Sequence, residues 1–290
     1  MCDTCGCNVT PGNEHLVRAG GPHEHTEDGR AAVTVLKSLL TENDHQAAHN
    51  REHFDEHGVL AINLMSSPGA GKTSLLESTI AAVRHEVRIA VVEGDLETEN
   101  DARRIRAQGV EAVQIATGSA CHLDAHMVHD ALHHLDLSGV DILFIENVGN
   151  LVCPAGFDLG QHRNVTLLSV PEGDDKPAKY PVMFRGADLV LLTKTDLLAY
   201  LTEFSPARAE HHLRHLANAA PFLTISTRGA DGIEPWLDWL RGELQQQRQR
   251  VRLGETVRPE IQPDGVRLHA GGQGHTHQHH HHHHAHGHGG

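Results

Sequence analysis

The chain of 290 residues lacks any sustained block of lysine or arginine: 24 basic residues stand against 38 acidic ones, a formal charge of −14 with histidine neutral. Wrapping nucleic acid through its phosphates draws on clustered positive charge and the counterions it releases, so nucleic acid is not an expected partner. No stretch approaches the roughly 20 apolar residues that span a bilayer. The first residues, Met1-Cys2-Asp3-Thr4-Cys5, are not a basic region followed by an apolar run. Neither a membrane nor secretion is expected, and the cytoplasm is the expected compartment. Cysteine is scarce and odd in number: of five, three crowd at Cys2, Cys5 and Cys7. That is not a disulfide framework, and in a reducing compartment such a cluster reads as metal-binding or redox-active. What is abundant is histidine, with 28 residues, as many as glycine and more than lysine and arginine together. A hydrophobic content of 39% supplies a sizeable core and excludes a wholly disordered chain.

Residues 1–30, rich in Cys, Gly, His, Asp and Glu, lack the apolar material for a core and read as a flexible metal-binding arm. From Ala31 to about His57, Val33, Leu36, Leu39, Leu40, Ala47 and Phe54 recur at mostly helical spacing, which predicts one or two amphipathic helices. Short runs then follow that are apolar throughout: Val59 to Met65, Val87 to Val92, Val110 to Ile115, Val140 to Ile145, Val165 to Val170, Leu189 to Leu192 and Phe222 to Ile225. Unbroken apolar runs are what strands look like when helices cover both faces of a parallel sheet. The predicted class is α/β, a mostly parallel sheet flanked by helices over residues 31–245. Helices are expected at Lys72 to His85, Asn100 to Gln108, His122 to Leu135, Pro206 to Asn218 and Ile233 to about Gln247. Residues 246–290 read as a disordered tail with a histidine tract from His275 to His288. The run His279 to His284 has the length of a purification tag, but the bias continues on both sides of it, which favours a natural metal-binding tract.

The most specific local pattern is Ser66-Ser67-Pro68-Gly69-Ala70-Gly71-Lys72-Thr73-Ser74, between an apolar run and a helical pattern. Small residues there let successive backbone N–H groups turn inward around a phosphate, and the helix N-terminus adds a positive dipole end. Lys72 neutralises the β- and γ-phosphates, and the Thr73 hydroxyl ligates Mg²⁺. Pro68, Gly69, Ala70, Gly71, Lys72, Thr73 and Ser74 are the candidate phosphate contacts, with Ser66 where glycine usually begins the pattern. Asp95 and Glu146 close the second and fourth apolar runs. Ligands of open α/β sheets sit beyond the strands' carboxyl ends, so both carboxylates can approach the Mg²⁺, through water because that ion dehydrates reluctantly. Lys72, Asp95 and Glu146 are the candidate catalytic residues. Thr193-Lys194-Thr195-Asp196 suggests the base: an Asp carboxylate accepts the guanine N1–H and N2 amino group, a donor pair that adenine lacks. Lys194 and Asp196 are therefore assigned to GTP, with Ser226 completing the base pocket. The pattern is similar to the Asn-Lys-x-Asp motif of GTPases, with Thr193 in place of Asn.

Cys2, Cys5 and Cys7 offer three thiolates to one soft or borderline ion, and the α-amino group or a backbone nitrogen completes a tetrahedral or square-planar set, the latter favouring Ni²⁺; a redox Cys-x-x-Cys is the competing reading. Cys121, His122 and Cys153 form a second candidate set of metal ligands, with Cys121 and His122 expected to begin a helix. A fourth ligand there is water or comes from a partner subunit. Because Cys153 follows Glu146 on one segment, nucleotide state and metal geometry are expected to influence each other.

The combination of Cys-x-x-Cys-Gly-Cys at Cys2 to Cys7, Ser-Ser-Pro-Gly-Ala-Gly-Lys-Thr, Glu-Asn-Val-Gly-Asn-Leu-Val-Cys-Pro at Glu146 to Pro154, and Cys121-His122 resembles the HypB family of hydrogenase nickel-incorporation GTPases. The resemblance covers residues 1–7 and 31–245. It implies a phosphate-loop fold of the SIMIBI type and a slow GTPase that delivers Ni²⁺ to the large-subunit precursor of [NiFe]-hydrogenase. It further implies a homodimer on GTP or metal binding and a nickel chaperone partner of the HypA type. Cys2, Cys5 and Cys7 would be a tight Ni²⁺ site, and Cys121, His122 and Cys153 a weaker Zn²⁺ or Ni²⁺ site at the dimer interface. Histidine-rich extensions in relatives are associated with nickel storage, but most lie near the N-terminus rather than the C-terminus. The related urease accessory GTPases carry a Gly-Gly pair in the switch segment and a Cys-Pro-His metal motif, and this chain has neither. A nickel buffer with a vestigial nucleotide site is the reading from another class.

Overall fold

The computed structural model describes residues 27–95, 100–118, 120–216, 218–228 and 232–259, with side chains from Leu40 onward. The expectations for Cys2, Cys5 and Cys7, and for the tract His275 to His288, lie outside the described residues.

Seven parallel strands form one sheet in the order β3-β2-β4-β1-β5-β6-β7. They are β1 (Leu60–Ser66), β2 (Ile89–Asp95), β3 (Glu111–Ala116), β4 (Ile142–Glu146), β5 (Arg163–Ser169), β6 (Leu189–Thr193) and β7 (Phe222–Thr224). Helices α1 (Glu27–Glu56), α2 (Lys72–Val83), α3 (Asn100–Arg106), α4 (Ala125–Leu132), α5 (Lys176–Lys179), α6 (Pro181–Arg185), α7 (Pro206–His215) and α8 (Glu234–Leu253) cover its faces. Every residue of β1 and β4 is buried, which is why these runs show no polar alternation. Alternate side chains of β1 feed opposite cores. Leu60, Ile62 and Leu64 pack with Leu75, Leu76 and Ile80 of α2 and with Trp236 and Leu240 of α8. Ala61 faces the other way, into a core with Phe54 of α1, Ala90, Leu143 and Ile145 of the sheet, and Val128 of α4. A third core joins Met65, Leu168, Val190 and Leu192 to Met183, Phe184 and Leu213. Each such side chain contributes on the order of 1.5–3 kcal/mol on burial.

Of the two readings of the N-terminal pattern the structure shows the first, and two later helices differ from the sequence reading. The N-terminal helical pattern is a single helix, because Asn43, Ala47, Asn50 and Phe54 form one continuous buried stripe. The C-terminal helix runs past Gln247 to Leu253. Gln247 is fully buried, its amide donating to Asp55 at 2.8 Å, so a polar residue serves as a packing position there. The helix expected from His122 begins instead at Ala125: Asp124 caps it, accepting from Met127 N–H at 2.8 Å. Among the described residues no helix is long and apolar enough to cross a membrane.

Candidate nucleotide and metal site

The segment from Ser66 to Ser74 links β1, at the centre of the sheet, to α2. Gly69 and Gly71 have φ of 75° and 104°, which side-chain-bearing residues rarely adopt, and these turns aim the loop's N–H groups inward. Lys72 Nζ donates to Ser66 Oγ at 3.2 Å, so the serine in the glycine place holds the lysine over the loop. Ser67 Oγ donates to Glu172, which also accepts from Ser169 N–H, tying the loop to the end of β5. The loop borders a cavity of about 430 Å³ lined by Pro68, Gly69, Gly71, Lys72, Thr73 and Ser74 on one side and by Glu93, Asp95, Glu146 and Gly149 on the other.

Sheet register supplies the carboxylates. β4 lies between β1 and β2, and Glu146 is in register with both Leu64 and Glu93. Laterally paired residues of parallel strands share a face, so Glu93 and Glu146 stand side by side. Glu93, Asp101 and Glu146 present carboxylate oxygens all within 4.8 Å of one another. Thr73 Oγ1 donates to Glu146 Oε1 at 2.9 Å. Burial, then the Glu146 charge, pushes Glu93 up to about 8, and burial pushes Glu146 up to about 7. Among the described residues Glu93 Oε2 and Glu146 Oε2 are buried without a hydrogen-bond partner, which fits a site that a divalent cation completes. Asp95 lines the same cavity but lies outside this three-carboxylate group.

On the other side of β1, the ends of β6 and β7 border a second cavity of about 220 Å³, lined by Ala70, Ser74, Asp196, Ile225 and Arg228 among others. Thr193 Oγ1 donates to the Ala70 carbonyl at 2.7 Å, so threonine retains a brace between strand and loop where the GTPase motif has asparagine. Lys194 is the one non-glycine with positive φ among the described residues, at 57°. This places its Nζ 2.6 Å from the Gly69 carbonyl, a held conformation of the kind found at ligand clamps. Ser226 Oγ donates to Asp196 Oδ1 at 2.7 Å and fixes the carboxylate's orientation.

Cys121, His122 and Cys153 converge, with ligand atoms all within 4.8 Å. Cys121 and His122 sit in the loop ahead of α4, and Cys153 begins a short 3-10 turn, Cys153–Gly156, that follows the Glu146 segment. His122 is 3% exposed and stacks on Phe157 at 4.0 Å. Burial lowers its pKa, keeping the imidazole neutral and able to ligate. Two thiols and one imidazole suit a borderline ion such as Zn²⁺ or Ni²⁺.

Residues 60–224 match the family model of the CobW/HypB/UreG nucleotide-binding domain. The chain is 48% identical over 233 residues to the hydrogenase maturation factor HypB of Azotobacter vinelandii, covering 77% of each chain. The chain belongs to the HypB family of hydrogenase maturation factors. Two solved HypB structures agree with this fold. That of HypB from Helicobacter pylori, in complex with nickel, superposes with a TM-score of 0.67 at 40% identity, covering 74% of this chain and 97% of that one. That of HypB from Archaeoglobus fulgidus gives 0.66 at 40% identity, covering 71% of this chain and 100% of that one.

Two residues of this arrangement carry no signal in the sequence: Glu93 and Asn147. Glu93 is an acidic residue near a strand end, and only the pairing of β2 with β4 sets it beside Glu146. Asn147, fully buried, accepts from Leu123 N–H at 3.2 Å and from Val148 N–H at 2.9 Å, and donates to Asn63 at 3.2 Å. It thus joins the residue after His122 to the segment after Glu146. That segment also touches the phosphate loop: a Cβ on Gly149 would lie 2.8 Å from Pro68 Cα, so only glycine allows the contact.

Proposed function

We propose that the chain is a slow GTPase that uses its nucleotide state to hold and release Ni²⁺ during maturation of the large subunit of [NiFe]-hydrogenase, with a HypA-type chaperone as nickel partner. The observation that carries the reading is Asn147, whose one side chain is bonded to both the Cys121–His122 loop and the Glu146–Gly149 segment. The nickel-bound relative from Helicobacter pylori supports nickel as the cargo.

In this reading the Gly69–Thr73 turn cradles the β- and γ-phosphates and Lys72 neutralises charge that grows on the transferred group. Thr73, Glu146 and Glu93 would hold Mg²⁺, which when bound offsets phosphate charge; Asp95 would orient water at the cavity edge. Asp196, fixed by Ser226, accepts both guanine donors. A γ-phosphate in the cavity presses on the Pro68–Gly149 contact, and the displacement passes through Asn147 to the loop bearing Cys121 and His122. Cys121, His122 and Cys153 would hold Zn²⁺ or Ni²⁺ as a three-ligand set. A second copy of the chain completes the site, and Val152, 57% exposed beside Cys153, gives that face an apolar contact.

Turnover of GTP and ATP by the purified full-length chain tests the reading. GTP hydrolysis is expected, ATP hydrolysis at least about 100-fold weaker, and Lys72→Ala to lower GTP turnover by about 100-fold or more. Equal use of ATP, or turnover indifferent to Lys72, contradicts it; nickel binding without any turnover would instead identify a buffer with a vestigial nucleotide site.

A further inference from the structure

The folded domain carries histidines that neither the nucleotide site nor the Cys121 set uses. On α1 and one residue past its end, His45, His49, His53 and His57 recur at every fourth residue. On α4 and at its C-cap, His126, His129 and His133 are spaced by three and four. Such spacing stacks side chains on one side of a helix, and a pair four apart is a recurrent way for a helix to hold a metal ion.

The two series meet. The His49 and His129 rings pack edge to face across the helices, with centroids 5.2 Å apart, and His129 and His133 do the same at 4.8 Å. His53 and His57 continue the series to the C-terminal end of α1 at 4.5 Å. Buried amides fix the register of the helices beneath them. Asn43 Oδ1 accepts from Ala125 N–H at 2.9 Å, and Asn50 donates to the Ala125 carbonyl at 2.8 Å, so both main-chain groups of α4's first residue are tied to α1. Phe54 and Val128 belong to one core. The backbones that carry the imidazoles are therefore held in place, while His49 and His133 are exposed.

We propose that His49 and His53 of α1, with His129 and His133 of α4, form a binding site for one borderline divalent transition-metal ion of the Ni²⁺ type, separate from Cys121, His122 and Cys153. Imidazole nitrogen suits such ions, and water completes the shell. Burial and the neighbouring histidines lower the pKa of His53 and His129, which keeps them neutral, and Glu56 and Asp130 add negative charge beside them. An ion here sits on the helix that leads out of the Cys121–His122 loop, and His126 stands in the first turn of that helix, four residues after His122. That arrangement makes the site a staging point from which an ion reaches the thiolates.

The test uses full-length protein and Ni²⁺ alone. Crystals soaked in a nickel salt are expected to show an anomalous peak at the nickel edge between α1 and α4, about 2.1 Å from imidazole nitrogens of both helices. In solution, equilibrium dialysis of wild type against His49→Gln/His129→Gln should show the loss of one nickel equivalent, since the arm and tail are common to both chains and cancel. Cys121→Ser/Cys153→Ser should retain that equivalent, and GTP turnover in the histidine variant should equal that of wild type. Anomalous peaks elsewhere with none between the helices, or equal nickel stoichiometry in wild type and histidine variant, overturns the proposal.

Discussion

Glu93 and Glu146 are buried side by side, and their raised pKa values, about 8 and about 7, set a definite pH dependence. An acid whose folded pKa exceeds its unfolded value binds its proton more tightly when folded. Its contribution therefore falls as pH rises from the unfolded value, near 4.5, through the folded one. Without Mg²⁺ and nucleotide, Glu93→Gln should leave stability near pH 5 almost unchanged and raise it at pH 8, read by thermal unfolding at both values. The same variant should weaken Mg²⁺-dependent GTP binding. An offset equal at both pH values would contradict the account. At the base, Asp196→Asn should weaken GTP binding by about 100-fold and improve binding of xanthosine triphosphate, because the amide donates to the xanthine O2 where the carboxylate accepted from guanine. Competition binding measures this. The phosphate loop, Asp196 and Glu146 were legible as residues because each belongs to a local pattern. Glu93 and Asn147 were not, because their roles depend on which strands lie beside each other, and that is not written locally.

Among the elements, α4 shows how a cap outweighs a periodicity. The apolar pattern was compatible with a helix from His122, but Asp124 captures the Met127 N–H and starts it at Ala125. Cys121 and His122 are thereby left in a loop that can turn toward Cys153. Asp124→Ala should cost about 1 kcal/mol and loosen nickel binding at Cys121. The contact between α1 and α4 rests on Asn50, which also donates to the Leu159 carbonyl at 3.1 Å. Asn50→Ala removes these two bonds, and the one Asn50 Oδ1 accepts from Gln46, from a buried site and should cost about 2–3 kcal/mol in chemical denaturation. A cost below about 0.5 kcal/mol would show that the Asn50 bonds do not hold α1 in place. The polar stripe that Asn43 and Asn50 contribute lay hidden in the sequence, since buried asparagine does not register in an apolar pattern. For the same reason the expected end of α8 fell short: Gln247 packs against Asp55, and the helix continues past it.

Over the whole molecule, the sheet order explains why the sites are adjacent. The Ser66–Ser74 loop rises from β1 at the centre, Glu146 and Glu93 come from β4 and β2 on one side, and Asp196 and Ser226 follow β6 and β7 on the other. Fold class was readable from the unbroken apolar runs; the strand order and the proximity of the Cys121 set to Asn147 were not. Coupling between the two sites is the central claim, and by linkage nucleotide and metal must each change the other's affinity by the same factor. The most direct measurement is Ni²⁺ affinity of the full-length chain with Cys2, Cys5 and Cys7 all changed to serine, so that thiolate-to-nickel absorbance reports only Cys121 and Cys153. It is read with GDP and with a non-hydrolysable GTP analogue. The two affinities are expected to differ by about 5-fold or more, and Asn147→Ala to bring them together; equal affinities in the two nucleotide states would mean that the sites are not coupled.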